Sequence, residues 1–234
     1  MFINKPKKII FSSDPVVIDI PKPAKNFIPK WYSKSERYHG GEPQYHSNLN
    51  TNKSVKTCVP FLDTLTTGYM FELSIDVVIK QELDGPNFAS PLQPTPIDVR
   101  NPAQNPLIPI PLGCSPHHFI WKIPHCFKTP KGYSLLVTHP LNRFDLPFVT
   151  MSGIVDADNA IGKGNFPFFL KDGFEGIIHA GTPIAQIIPF KRDDWESVRD
   201  DSLNLEGEKR NFMAARTIKD GYYKLTSWHK KEYN

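Results

Sequence analysis

The sequence predicts an all-β fold with a proline-rich loop and a helical C-terminal extension, and three observations carry this. Residues 129–192 alternate short β-branched and aromatic runs with Pro-Lys-Gly, Lys-Asp-Gly and Ala-Gly-Thr-Pro punctuation. That is the pattern of strands joined by tight turns. The 234-residue chain holds 23 prolines and 14 glycines. Because proline breaks helix interiors and central strands, short strands, edges and ordered loops are expected. YMFELSIDVVIK (69–80) and FIWKI (119–123) add strand-like runs ahead of the central block.

A chain of this length buries a substantial core, as one large β domain or one domain with extensions. Residues 1–54 read as an N-terminal arm with short strands at KKIIF and VVIDI. PKPAKNFIPKWY follows as an extended connector. Its Trp31 and Tyr32 either pack the arm onto the body or belong to an arm exchanged between subunits. The polar stretch 38–54 reads as loop. The core spans 55–192; within it CVPFLDTLTTG is a strand bent at Pro60 or one helical turn. Eight prolines fall between 86 and 111, so 85–116 is expected to be a long excursion, partly polyproline II and mostly without regular structure. From 193 to 234 the chain turns charged and nearly proline-free. A helix capped by Asp193 or Asp194 is expected to begin near Trp195, with a second over 207–220.

Composition excludes several classes. The net charge of +4 is mild, with ten Lys/Arg against four Asp/Glu in residues 1–58. That is a solvated basic arm rather than the clustered patch of a nucleic-acid binder. The three cysteines, Cys58, Cys114 and Cys126, have no CxxC spacing. With no signal-peptide-like run, they indicate a reducing, cytoplasmic setting without a disulfide framework. No apolar run is long enough to span a membrane, so no membrane partner is expected. His117, His118, His125 and His139 lie near Cys114 and Cys126, but adjacent histidines on a strand face opposite ways. The spacing fits no metal-binding triad, and no metal is assigned. GxSxG, Walker and HExxH motifs are absent. Gly162-Lys163-Gly164-Asn165 reads as a mobile turn, and Phe144, Phe148, Phe166, Phe168 and Phe169 as core and subunit interface.

Four motifs follow one another in the central block: Pro130-Lys131-Gly132-Tyr133, His139-Pro140-Leu141-Asn142-Arg143, Gly153-Ile154-Val155-Asp156-Ala157-Asp158, and Gly181-Thr182-Pro183-Ile184-Ala185-Gln186-Ile187-Ile188. Together they resemble the strand-and-turn motifs of the dUTPase and dCTP deaminase superfamily, and imply its β-clip, a distorted jelly roll. The whole chain, with CVPFLD, TPKGYS and IAQIIPFKRDDW, is also similar to an uncharacterised family of bacteria and tailed phages. The superfamily resemblance implies that Asp156 is the carboxylate that activates water, useful only within hydrogen-bond reach of it. It further implies ligand contacts at Asn142, Arg143, Asp158, Asn159 and Gln186, a possible nucleotide ligand with Mg²⁺ only in that case, no other cofactor, and a homo-oligomer such as a trimer. The chain departs from the superfamily where catalysis is concerned. Leu141-Asn142-Arg143 replaces the Arg-Ser phosphate motif, Asn159 replaces the stacking Tyr, and no Gly-rich, Arg-containing closing arm follows. Glu175, the nearest candidate for a deaminase glutamate, sits in an apparent turn.

The reading is therefore a non-catalytic binding or assembly protein on a degenerate dUTPase-like fold. Two alternatives stand beside it. One is a nucleotide-directed hydrolase or deaminase using Asp156. The other is a nucleic-acid-associated protein whose tail offers Tyr222, Tyr223, Lys224, Trp228, Lys230 and Lys231 for stacking and phosphate contact.

Overall fold

The computed structural model describes residues 6–13, 19–46, 49–91, 95–100, 107–160, 162–217 and 221–234. In chain order the strands are β1 (Ile10–Ser13), β2 (Lys22–Pro23), β3 (Tyr45–His46), β4 (Leu49–Asn50), β5 (Tyr69–Glu72), β6 (Val77–Glu82), β7 (Gly85–Ala89) and β8 (Ile97–Val99). They continue as β9 (Cys114–Lys128), β10 (Tyr133–Thr138), β11 (Phe148–Thr150), β12 (Gly153–Val155), β13 (Lys163–Lys171), β14 (Gly176–Ile178) and β15 (Pro183–Lys191). The helices are α1 (Lys30–Lys34), α2 (Val59–Thr66), α3 (Ser202–Thr217) and α4 (Tyr222–Thr226). The chain is thus mostly β, and every strand pair among the described residues is antiparallel.

Two compact units form. The first comprises residues 1–27, 68–192 and 233–234, the second 28–67 and 193–232. The first holds two five-stranded sheets, β1-β9-β13-β11 with β8 also on β9, and β12-β10-β15-β5-β2. A three-stranded sheet, β14-β6-β7, completes it. Inward residues of all three sheets share one core. Along β9 the odd positions Phe119, Trp121, Ile123, His125 and Phe127 are buried, the period of two that a strand imposes.

Trp121 lies at the centre of this core. Its ring stacks on Phe168 at 3.8 Å and meets the edge of Phe148 at 5.0 Å. Burying each such side chain contributes about 1.5–3 kcal/mol. The indole Nε1–H donates to Thr150 Oγ1 at 3.1 Å, and that hydroxyl donates in turn to the Ile184 carbonyl at 2.6 Å. This relay ties β9, β11 and β15 together through the middle of the core.

Proline is accommodated differently from expectation. β9 is a central strand of 15 residues despite Pro116 and Pro124. Its pairing with β13 slips between Phe169 and Lys171 and again between Lys163 and Asn165, the stretches opposite these prolines. Proline has no N–H to give a ladder, so it is tolerated where the register is already broken. The excursion 85–116 also contains β7, β8 and the start of β9.

Elsewhere the structure corrects the sequence reading. PKPAKNFIPKWY is not an extended connector: it folds into β2, a 3₁₀ turn at Ala24–Phe27 and most of the short helix α1. CVPFLDTLTTG adopts its helical alternative, α2, with Pro60 in the first turn where no amide donor is needed. No helix starts at Trp195; residues 192–200 have no regular structure, and α3 begins at Ser202. Of VVIDI, residues 16–18 lie outside the described residues. FPFFL is buried within β13 between β9 and β11, whereas Phe144 is exposed. In the second unit, Tyr32 stacks on Phe61 at 5.9 Å with Trp31 on the same ring. All three cysteines are free thiols.

Replacing Thr150 by Val keeps the shape but strands a buried indole N–H and a buried carbonyl. Each orphaned group costs about 1–3 kcal/mol, so Thr150→Val is expected to lower unfolding free energy by about 2–4 kcal/mol in urea titration. Thr150→Ser, which keeps the hydroxyl, is expected to lose less.

Candidate functional site

The residues singled out in the sequence gather in two clusters at opposite ends of β10. The first is built on the turn that follows β12. Gly132, at φ 81°, makes the tight entry to β10. Its N–H donates to Asp158 Oδ2 at 2.8 Å, while its carbonyl accepts from the Arg192 N–H at 2.9 Å. The Arg192 guanidinium grips both Asp158 oxygens, with Nη1 at 2.9 Å from Oδ1 and Nη2 bonded to Oδ2. It also reaches Asp156 Oδ1 at 3.2 Å and Ser134 Oγ at 3.0 Å. Ser134 itself donates to Asp156 Oδ1 at 2.6 Å.

The two carboxylates differ in kind. The Asp158 side chain is only 3% accessible, against 61% for Asp156. The Arg192 fork and the Gly132 amide hold the Asp158 carboxyl down at about 2. Asp158 therefore fastens the end of β15 to the start of β10. Asp156 keeps an exposed carboxylate, with one oxygen already accepting two hydrogen bonds. Asn159 lies exposed in the same turn.

The second cluster surrounds the β10–β11 connection. Gln186 is fully buried and accepts the Leu141 N–H at 2.8 Å, so it supports this loop from beneath. Asn142 takes the left-handed conformation at φ 59°, which Asn tolerates better than most residues. Arg143 forms a bidentate pair with Asp145, both bonds 2.9 Å, and reaches the Phe27 carbonyl. His139 Nδ1 accepts the Thr150 N–H at 3.3 Å and Nε2–H donates to the Arg143 carbonyl at 3.0 Å. That pair of partners requires the neutral Nε2–H tautomer. Burial likewise pushes the imidazole below its usual range. β10 is six residues long, so about 20 Å separates the two clusters.

A cleft opens between them where the two large sheets part. Met151 N–H still bonds the Pro167 carbonyl at 2.8 Å, but the chain then crosses from β11 to β12 in the other sheet. The edge of β12 and the part of β13 before Pro167 are left facing a cavity of about 390 Å³. Phe127, Val137 and Phe166 give it apolar walls, and Ser152, Lys163 and Asn165 supply polar groups. Gly164 is needed here: a Cβ would sit 2.6 Å from the Phe166 ring. The segment read as a mobile turn is thus the start of β13 and one wall of this cleft. Neither Asp156 nor any residue of the second cluster lines it.

Sequence reasoning missed Arg192, Ser134 and the lining residues. Only the Lys-Arg ending of the last core strand signalled Arg192. The tail residues belong to the second unit. Trp228 Nε1–H and Lys231 Nζ both donate to Asp63 on α2, and Lys230 pairs with Glu232. Tyr222, Tyr223 and Lys224 begin α4. The histidines are engaged one by one: His125 with Ser13 Oγ at 2.6 Å, His118 against Phe169, and His117 beside Gly85. Among the described residues, no three His, Cys, Asp or Glu converge to hold a metal ion, and no helix is long and apolar enough to cross a membrane.

No family model and no curated protein matches the sequence. Among solved structures the chain is similar to a mutant dUTPase from phage phi11 of S. aureus, with a TM-score of 0.33 and 14% identity over 67% of this chain and 92% of that one. It is also similar to the 2'-deoxycytidine 5'-triphosphate deaminase from Agrobacterium tumefaciens, with a TM-score of 0.36 and 10% identity over 62% of this chain. There it spans only 44% of the deaminase.

Both clusters make stability fall with acid, in two windows. His139 has a lowered folded value, so the unfolded chain protonates first; its contribution is complete above about 6.5 and is lost as pH falls through the folded value. Asp158 acts likewise between 3.8 and about 2. Urea midpoints are expected to drop between neutral pH and about pH 5, and less steeply in His139→Gln. An equal drop in that variant assigns the first window to other groups.

Proposed function

We propose that this protein binds a small, planar, amphipathic ligand of the nucleoside class in the cleft between β12 and β13, and does not turn it over. The cleft is the observation that carries the reading. Its volume falls within the ~300–1,000 Å³ usual for small-ligand sites. Two strand edges facing the same space offer backbone N–H and C=O groups to the rim of a flat ring. Phe127, Val137 and Phe166 make part of the lining apolar, which suits a heteroaromatic base. Glycines at 153, 162 and 164 along the lining let a ligand approach the backbone closely.

The arrangement of Asp156 favours binding over catalysis. A general base needs a free oxygen within reach of the attacking water. Asp156 stands outside the lining, with Oδ1 tied to Ser134 and Arg192. Arg143, which could grip phosphates, is already paired with Asp145. Homo-oligomeric assembly belongs to the same reading. Any site using both ends of β10 would have to draw on more than one copy, as a trimer allows. The nucleic-acid reading is weaker, because Trp228 and Lys231 are already engaged with Asp63.

Gly153 supplies a test. A Cβ built there meets nothing within 4 Å, so Gly153→Leu is expected to fold while filling the cleft. A nucleoside and nucleotide panel is expected to raise Tm of the wild type, by about 2.7 kcal/mol of stabilisation at 100 times Kd. Gly153→Leu is expected to lose that shift, and Asp156→Ala to keep it. No response to any compound overturns the reading. Turnover that disappears in Asp156→Ala replaces it with the enzyme.

A further inference from the structure

One end of the first unit carries apolar side chains that its core does not use. Leu83 at the β6–β7 turn and Leu112 in the loop entering β9 are fully exposed, and Phe144 in the β10–β11 loop is 78% exposed. The β13–β14 turn gathers these three loops. Its Asp172 N–H donates to the Gly113 carbonyl at 3.0 Å, and Lys171 Nζ donates to the Phe144 carbonyl at 2.7 Å. Glu175 Oε1 accepts the Gln81 N–H at 2.9 Å, and the Phe174 carbonyl accepts from Gln81 Nε2 at 2.9 Å. Single exposed leucines are ordinary on a protein surface. Three apolar tips gathered round one turn form a patch of the kind that marks a contact. Its rim is acidic: Glu82 and Asp84 flank Leu83, Asp172 and Glu175 stand in the gathering turn, and all four are exposed.

The other end of β9 has the opposite charge. Lys128 closes the strand and pairs with Ile10 of β1, which is 63% exposed. Lys131 in the next turn and Lys7 and Lys8 ahead of β1 are exposed as well. Lys7 Nζ lies 5.2 Å from the centre of the Tyr133 ring, at the start of β10. Asp156 and Asp158 also stand at this end, but Arg192 bonds both, so the surplus is basic. β9 has 15 residues, so up to about 45 Å of strand separates the two ends.

We propose that this chain associates head to tail, the apolar, acid-rimmed end of one copy docking on the basic end of the next beside Ile10. Charge selects this arrangement. An isologous pair through either end would oppose like charges, whereas head-to-tail contact opposes unlike ones. The acidic rim also disfavours an anionic membrane surface as the occupant. A heterologous contact leaves one end free on each side, so the species grow beyond two copies as concentration rises. Salt weakens them. The ligand cleft takes no part in this contact.

Sedimentation velocity of the full-length chain tests this with two variants, each altered only at exposed positions. Leu83→Ser with Leu112→Ser disables the head, and Lys128→Ser with Lys131→Ser disables the tail. Each variant alone is expected to lose self-association by about tenfold or more. Mixed, they are expected to form a 1:1 pair and stop there, because one intact head meets one intact tail. Misfolding of a variant cannot produce that outcome. A wild-type chain that stays monomeric at every concentration overturns the proposal. So does self-association that persists unchanged in either variant, or a mixture that yields no pair.

Discussion

The hydroxyl of Thr150 is the joint on which the β core depends. It accepts from the Trp121 indole and donates to the Ile184 carbonyl, while the Thr150 amide is taken by His139. One residue therefore satisfies polar groups from three other segments, in a region otherwise filled by Phe119, Phe148, Phe168 and Leu135. A sandwich of apolar faces alone specifies neighbours only loosely. A buried donor–acceptor relay permits one alignment, because any slip leaves an unsatisfied group in a medium that penalises it. The cleft depends on the same joint: β11 is pinned at Thr150, and the chain departs for the other sheet directly afterward.

Much of the β architecture was legible because strand burial leaves a period of two. YSLLVT, FPFFL and PIAQIIPFK all became strands, and the Pro-Lys-Gly and Ala-Gly-Thr-Pro breaks became turns with left-handed glycines at 132 and 181. The length of β9 was hidden. Its two prolines look like strand ends in sequence, and only the partner strand reveals that they fall at slips in register. PKPAKNFIPKWY failed for a related reason. Proline suits the first turn of a helix as well as extended chain, and local sequence does not choose between them.

The site was less legible than the fold. Asp156 stands out in the sequence, but its partners Ser134 and Arg192 lie 22 and 36 residues away along the chain. Contacts of that separation leave no local pattern. Gly162-Lys163-Gly164-Asn165 was misread because glycine signals both a turn and a place where another group lies against the backbone. At Gly164 that group is the Phe166 ring. The tail was misread at its start, since Asp193 and Asp194 resemble caps while Asp200 accepts from both the amide and the hydroxyl of Ser202 where α3 begins.

The Asp158–Arg192 clasp has a mechanical consequence for whatever enters the cleft. It fastens the turn after β12 to the first residue turn of β10 and the last of β15, so that side of the opening is held at three chain ends at once. The opposite side, the start of β13, is joined to β9 across a break in register. One wall is thus tied by side-chain bonds as well as ladder bonds, and the other by an interrupted ladder. For a ligand of the kind proposed above, the clasped wall is expected to set the width of the opening and the glycine-bearing wall to adjust to it.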